Sequence, residues 1–287
     1  MQHFINSFNT RNHTNSNNEY QSGKLKKIAT NMKKGIIIAL ALIITIAVQA
    51  QEFKIAKSTG RLEIKEVNHI MIEGYSGNEI VFTSKNHDRE KDERAKGLRA
   101  VSSLGLEDNT GMGLSVIDKG GIIEVQQLKK MDGPEIVIKV PKGVIVSYSH
   151  SSPYGDDVEF NNVEGEIEVS TVHNDVKLNN VTGPMTVKTV HGDIEGSLNA
   201  SMKNPISIVS VHGHVDIALP VGTKANLKLG TVYGEIFMDP DFKIEIEKST
   251  SSNMIKVSSD NVSGKINGGG LDITLSSTHN NVYLRKK

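Results

Sequence analysis

The chain has 287 residues, 37% of them hydrophobic and 5% aromatic, with no Cys, no Trp and 33 basic side chains against 33 acidic ones; this is globular composition, neither a membrane bundle nor a disordered polyelectrolyte. Without Cys it forms no disulfide and carries no lipid on an N-terminal Cys. Beyond the first fifty residues 27 basic and 32 acidic side chains remain, a net charge of −5, opposite in sign to the footprint of a nucleic-acid binder, so no nucleic acid is expected as partner.

Residues 1–31 are polar, hold seven Asn and show no apolar periodicity, and are expected to be disordered or to precede the true start at Met32. From Met32 the chain reads MKKGIIIALALIITIAVQAQ. Two lysines, a thirteen-residue apolar run over 36–48 and Val48-Gln49-Ala50 as a cleavage site make residues 32–50 a secretory signal peptide. A membrane anchor needs roughly 18 apolar residues, which this run lacks. The expectation is an exported chain, periplasmic, at the outer surface or secreted, with no transmembrane segment after cleavage.

Residues 51–287 read as a single domain. Leu62, Ile64 and Val67, then Ile70 and Ile72, then Ile80-Val81-Phe82 are short strands about the turn Gly74-Tyr75-Ser76-Gly77, a less regular N-terminal β cap. The charged stretch over 85–113 has no sustained pattern and is expected as an exposed loop. Strands resume over 122–125 and 135–140, and Pro141-Lys142-Gly143 turns the chain into its regular part, residues 141–240.

There the apolar positions keep a nine-residue beat: Val158, Phe160, Val163; Ile167, Val169, Val172; Val176, Leu178, Val181; Met185, Val187, Val190. The step of two is strand alternation, and the third member is expected to point inward at a corner; a helical stripe of period 3.6 does not fit. Glu164-Gly165, His173-Asn174, Thr182-Gly183 and His191-Gly192 punctuate the same beat, with residues expected to serve positive φ. Two units make an eighteen-residue rung, and the spacing then widens to twenty-one at Val190, Val211 and Val232, the added residues falling in turn-forming stretches. A last rung shows at Ile273, Leu275, Thr278, Val282 and Leu284. The fold class is all-β, a parallel β-helix-like β-solenoid with rungs of roughly 18 to 21 residues. An antiparallel meander with Asn and Gly hairpins is the alternative.

The repeats Thr171 to Val176, Thr189 to Ile194, Ser210 to Val215 and Thr231 to Ile236 follow T-x-x-G-[DEN]-[IV], led in by residues 136–143. In these the sequence resembles the bacterial putative-adhesin domain family, exported β-solenoids of unknown function, over roughly residues 62–284. The resemblance implies a fold and no catalytic or binding residues. Asn174 stands where that pattern has Gly, and His occupies the corner before it.

Eighteen- to twenty-one-residue rungs stack His173, His191 and His212 in one column continued by Tyr233, at a strand separation of ~4.8 Å. Two such imidazoles, with Asp175 or Asp193 as an oxygen ligand, are the candidate for a transition metal; against it, a ladder holds its side chains parallel, which favours a solvated corner ladder. Once charged, stacked imidazoles repel and their pKa values fall, while nearby carboxylates oppose this. Calcium nonapeptide signatures are absent. Polysaccharide-acting β-helix enzymes need paired carboxylates or a base with Arg or a cation, yet residues 141–240 contain no Arg, and Lys177 with Glu195 reads as a surface ion pair. No catalytic residue and no cofactor are expected. The functional reading is an exported, non-enzymatic, surface-presenting β-solenoid, an adhesin or ligand-binding envelope protein. Its alternatives are a structural periplasmic envelope protein and a polysaccharide-acting β-helix enzyme. The partner is a glycan or protein at the cell envelope, met by the exposed Tyr148, Tyr154 and Tyr233, with Phe160 left to the core. Open solenoid ends leave room for a homodimer.

Overall fold

The computed structural model describes residues 52–85, 93–131, 133–203, 205–246 and 260–287. The expected leader (1–31) and signal peptide (32–50) lie outside the described residues.

The first strands are β1 (Glu52–Ile55), β2 (Thr59–Lys65), β3 (His69–Tyr75) and β4 (Ile80–Ser84); β5 (Leu114–Asp118), β6 (Ile122–Gln127) and β7 (Glu135–Pro141) follow the charged stretch. The regular rungs hold β8 (Gly143–His150), β9 (Val158–Asn161), β10 (Ile167–Thr171), β11 (Val176–Asn179), β12 (Met185–Thr189), β13 (Ile194–Ser197), β14 (Ile206–Ser210) and β15 (Val215–Leu219). The chain closes with β16 (Ala225–Thr231), β17 (Ile236–Met238), β18 (Ile244–Ile246), β19 (Asp260–Ile266), β20 (Leu271–Ser277) and β21 (Val282–Lys286). Within the charged stretch a single 3-10 turn at Glu93–Ala95 and an isolated bridge between Val101 and Glu107 are the regular features of residues 93–113.

Among the described residues the strands form two sheets, one of ten and one of eleven strands, and the rungs pass alternately from the larger sheet to the smaller. Their register is parallel: Ile167 faces Met185, Val176 faces Ile194 and Met185 faces Ile206. The meander is thereby excluded and the β-solenoid stands. Alternation drives one face of each strand inward, so Val158, Phe160, Ile167, Val176, Leu178, Met185, Val187, Ile194, Ile208 and Val215 line one continuous core at 0 or 1% exposure.

Rung order in space departs from order in the chain at both ends. The first rung, β2–β3, sits between β6–β7 and β8–β9, and the last, β20–β21, sits between β14–β15 and β16–β17. Ile273 therefore pairs with Ile206 on one side and Leu227 on the other, so the rungs that carry Val211 and Val232 are not neighbours. Antiparallel strands close the stack: β1 and β4 beyond β7, β5 beyond β6, and β18 and β19 beyond β16. Such closure leaves fewer bare parallel edges, the liability of any stacked sheet.

Candidate functional site

Each regular rung leaves the eleven-stranded sheet through a five-residue corner whose construction repeats. Alternation runs on past the strand, so Thr171, Thr189, Ser210, Ser277 and Thr231 are buried, while Val172, Val190 and Val211 are half-exposed and Val232 is exposed. The expectation that the valine points inward fails here; it holds at the opposite corner, where Val163 and Val181 are buried. The hydroxyl wins the inward place because it has work there. Thr189 Oγ1 accepts the Gly192 N–H at 3.1 Å, and Ser210 Oγ accepts Gly213 N–H at 2.9 Å while donating to Gly192 O at 3.0 Å. Ser277 and Thr231 repeat the arrangement with Asn280 and Gly234.

The corner glycines answer to approach and not to φ. A Cβ on Gly192 would lie 1.9 Å from Asn174 O and one on Gly213 2.0 Å from Gly192 O, and neither residue is among the positive-φ positions. The left-handed positions are Asn162, Asn180 and Gly183, on the other corner. Asn174 keeps its side chain because the rung before it has Gly155, into whose Cβ space the Asn174 amide projects. Acidic and amide side chains after the glycine tie successive rungs: Asp175 Oδ1 accepts the Asp193 N–H at 2.7 Å, Asp193 Oδ1 the His214 N–H at 2.8 Å, and Asn281 Oδ1 the Glu235 N–H at 2.8 Å.

Backbone bonds run through this corner from rung to rung, among them His191 N–H to Val172 O, His212 N–H to Val190 O and His279 N–H to Val211 O at 2.8 to 2.9 Å. They fix the imidazoles in register. His173, His191, His212 and His279 stack with centroids 5.3, 4.8 and 4.6 Å apart, and Tyr233 closes the row 4.8 Å from His279. Neighbouring planes differ by 7 to 14°. All five rings are exposed. The His212 pKa is lowered, first by desolvation and then by its neighbours His279 and His191.

Asp175 and Asp193 do not join this row. Each is committed to the next rung's amide, and Asp193 also holds the His214 ring, Nδ1 to Oδ1 2.9 Å, with Glu195 at the other ring nitrogen. Burial, with the Asp157 and Asp193 carboxylates nearby, raises the Asp175 pKa. Parallel rings carry their nitrogen lone pairs side by side, whereas a metal needs them to converge at ~2.0 to 2.1 Å, and no group of three or more His or acidic residues among the described residues is arranged to hold a metal. Lys177 bonds to Asp157 rather than to Glu195.

Of the tyrosines, Tyr233 is 73% and Tyr154 48% exposed. Tyr148 is not a surface residue: it continues the inward series Val144, Val146, is 1% exposed, and its hydroxyl donates to Val67 O at 2.8 Å. Beside it His150 occupies the position of the buried hydroxyls, Nε2 3.1 Å from Asn68 Oδ1 and Nδ1 unpaired among the described residues. Desolvation lowers the His150 pKa, against the pull of Glu66. Glu66, left-handed at φ 52°, accepts the amides of Ser151 and Ser152 and the Ser151 hydroxyl. Tyr154, Leu104, Leu128 and these polar groups line a cavity of about 460 Å³ at the head of the same corner.

The sequence reading missed His279, although Ser277-Thr278-His279-Asn280-Asn281-Val282 is a further copy of the repeat. It also missed an aromatic pair on the outer face of the ten-stranded sheet, Phe237 on Tyr283 at 5.3 Å, with Arg285 over Tyr283 and bidentate to Asp216.

Residues 156–285, which include every ring of the histidine row, match the family Toastrack DUF4097. Over this segment the chain is similar to that family. The adhesin-like resemblance carried by the T-x-x-G repeats thus holds for the rungs that bear them. Among solved structures, a putative cell adhesion protein from Clostridium sporogenes is similar at 14% identity and a TM-score of 0.41, over 83% of this chain and 100% of that one. No curated protein matches the chain.

Proposed function

We propose that the chain is an exported, non-enzymatic Toastrack protein that works by presenting its solenoid surface to a glycan or protein of the cell envelope. One observation carries the reading. Four imidazoles and a phenol stand in a straight, exposed row whose backbone is hydrogen-bonded from rung to rung, a rigid array needing little ordering on contact. No helix among the described residues is long and apolar enough to cross a membrane, and the adhesin-like family accords with a surface role. The experiment is a binding screen of the purified chain against envelope fractions, matrix proteins and glycans. Saturable binding that weakens when His191 and His212 are both changed to Asn supports the reading; binding that ignores the row, or no binding, overturns it.

A further inference from the structure

The four imidazoles differ from the asparagine ladder in having no hydrogen-bond partner for their ring nitrogens among the described residues. On the opposite corner Asn179 bonds to Asn161 at 2.9 Å, Asn180 to Asn162 at 2.7 Å and Asn199 to Asn180 at 2.8 Å, each amide using its neighbour. The imidazoles touch face to face and leave their edges to solvent, one donor or acceptor pair per rung.

We infer that this row binds an extended acidic polysaccharide, carboxylates or sulfates lying along successive rungs, and that it takes up protons as it does so. The inference rests on the surface-presenting reading and names its ligand class.

Each ring lies within 5.3 Å of one or two others, and at His212, flanked on both sides, a proton on either neighbour disfavours its own. The lowered His212 pKa, set first by desolvation, has its two flanking imidazoles as the further causes. A parallel row of anions reverses the sign of that interaction at every rung, and a ligand that favours the protonated row must bind more tightly where protons are available.

The charged groups around the row leave this open. Entering the corner, Lys188 on β12 adds a cation, and Glu168 on β10 is held by Arg61. Leaving it, Asp175 accepts an amide, Asp193 an amide and the His214 ring, which Glu195 also meets, and Glu235 is exposed beside Tyr233. In the rung before His173, His150 is buried and its neighbour Glu66 is bound by Ser151 and Ser152, while Asp156 lies near His69. Asp175 and Asp193 keep their charge while accepting amides of the next rung, but among the described residues no carboxylate is paired with a ring of the row, Asp193 and Glu195 meeting His214 instead.

Geometry favours a polysaccharide over a single-stranded nucleic acid: the rings stack face to face at 4.6 to 5.3 Å, so most of their faces are closed to the base stacking on which single strands rely, while their edges stay open to anions. On the sheet side the register column beside the row reads Ser170, Lys188, Val209 and Ser276, which places hydroxyls at two rungs, suited to sugar hydroxyls.

The test measures binding of the full purified chain to alginate, heparin, uncharged dextran and single-stranded poly-dT at about pH 5.5 and about pH 7.5, with calorimetry in buffers of differing ionisation enthalpy. Alginate or heparin is expected to bind at least about tenfold more tightly at the lower pH, the factor for one proton over one pH unit, with net proton uptake and with loss in the His191→Asn/His212→Asn variant. Equal affinity at both pH values, an unaffected double variant, or dextran or poly-dT binding as well as alginate overturns it. If envelope or matrix partners bind through the row while neither acidic glycan does, this inference fails and the surface reading stands; if nothing binds, both fail.

Discussion

The two corners of the solenoid carry the same chain through the same change of direction with opposite chemistry. At the asparagine corner, Asn162 and Asn180 adopt φ of 54° and 57°, and their amides bond from rung to rung; the side chains are consumed in holding the turn. At the histidine corner the turn is held from inside, by Thr189, Ser210 and Ser277 and by glycines that let one rung lie against the next. Its outward side chains are released from structural duty. The outward side chains of a corner are free of structural bonds only where something else holds the turn, and that division of labour is what separates these two edges.

Breaking the inner support should cost most. Gly213→Ala puts a Cβ 2.0 Å from the Gly192 carbonyl oxygen, a backbone atom that cannot step aside, so about 3 kcal/mol should be lost, read as a fall in the denaturation midpoint. Next comes Thr189→Val, which keeps the shape but strands the buried Gly192 N–H; about 2 kcal/mol is expected in urea unfolding.

At the other corner Asn180→Ala removes two ladder bonds and places Ala in the left-handed region. The expected loss is about 1 kcal/mol, smaller than either inner change because the site is exposed. The smallest effect should come from the histidine row itself. His191→Asn should shift neutral-pH stability by no more than about 0.5 kcal/mol; a loss like that of Thr189→Val would mean that the ring holds the corner after all.

Acid sharpens the same contrast. His150 and His212 both have lowered pKa values in the folded chain, desolvation being the first cause of each, so below their ordinary value of 6.5 the unfolded chain binds more protons than the folded one. Their contribution to stability is therefore complete above about pH 6.5 and declines as the pH falls below it. Thermal melts from pH 7.5 to 5 should show the midpoint falling with acid, and His212→Asn should flatten part of that fall.

Most of the fold was legible because strand alternation and a nine-residue beat leave few solutions: Val158, Phe160, Val176 and Leu178 could share a face only as stacked strands, and they do. The spatial place of Leu271–Ser277 was not legible. A displaced rung keeps the same local pattern, so periodicity cannot tell that it lies between β14 and β16. Tyr148 was misread because the polar run after it suggested a surface, although its parity with Val144 and Val146 places it inside. Positive φ, expected at all the corner glycines, holds at Gly183, whereas Gly165 and Gly192 are dictated by the close approach of the neighbouring rung, a constraint that exists only between rungs. His279 is legible as the third position of Ser277-Thr278-His279-Asn280-Asn281-Val282, a copy of the repeat in which Asn280 stands in the place of the glycine.

The most direct measurement is an NMR map of backbone amide and imidazole shifts in the isotope-labelled chain, titrated with the envelope or glycan fraction that captures it. The account predicts perturbations concentrated at 172–174, 190–192, 211–213 and 278–280, with residues 161–163 and 179–181 unmoved. Shifts centred on the asparagine corner, or on the outer sheet face around Phe237 and Tyr283, would contradict it.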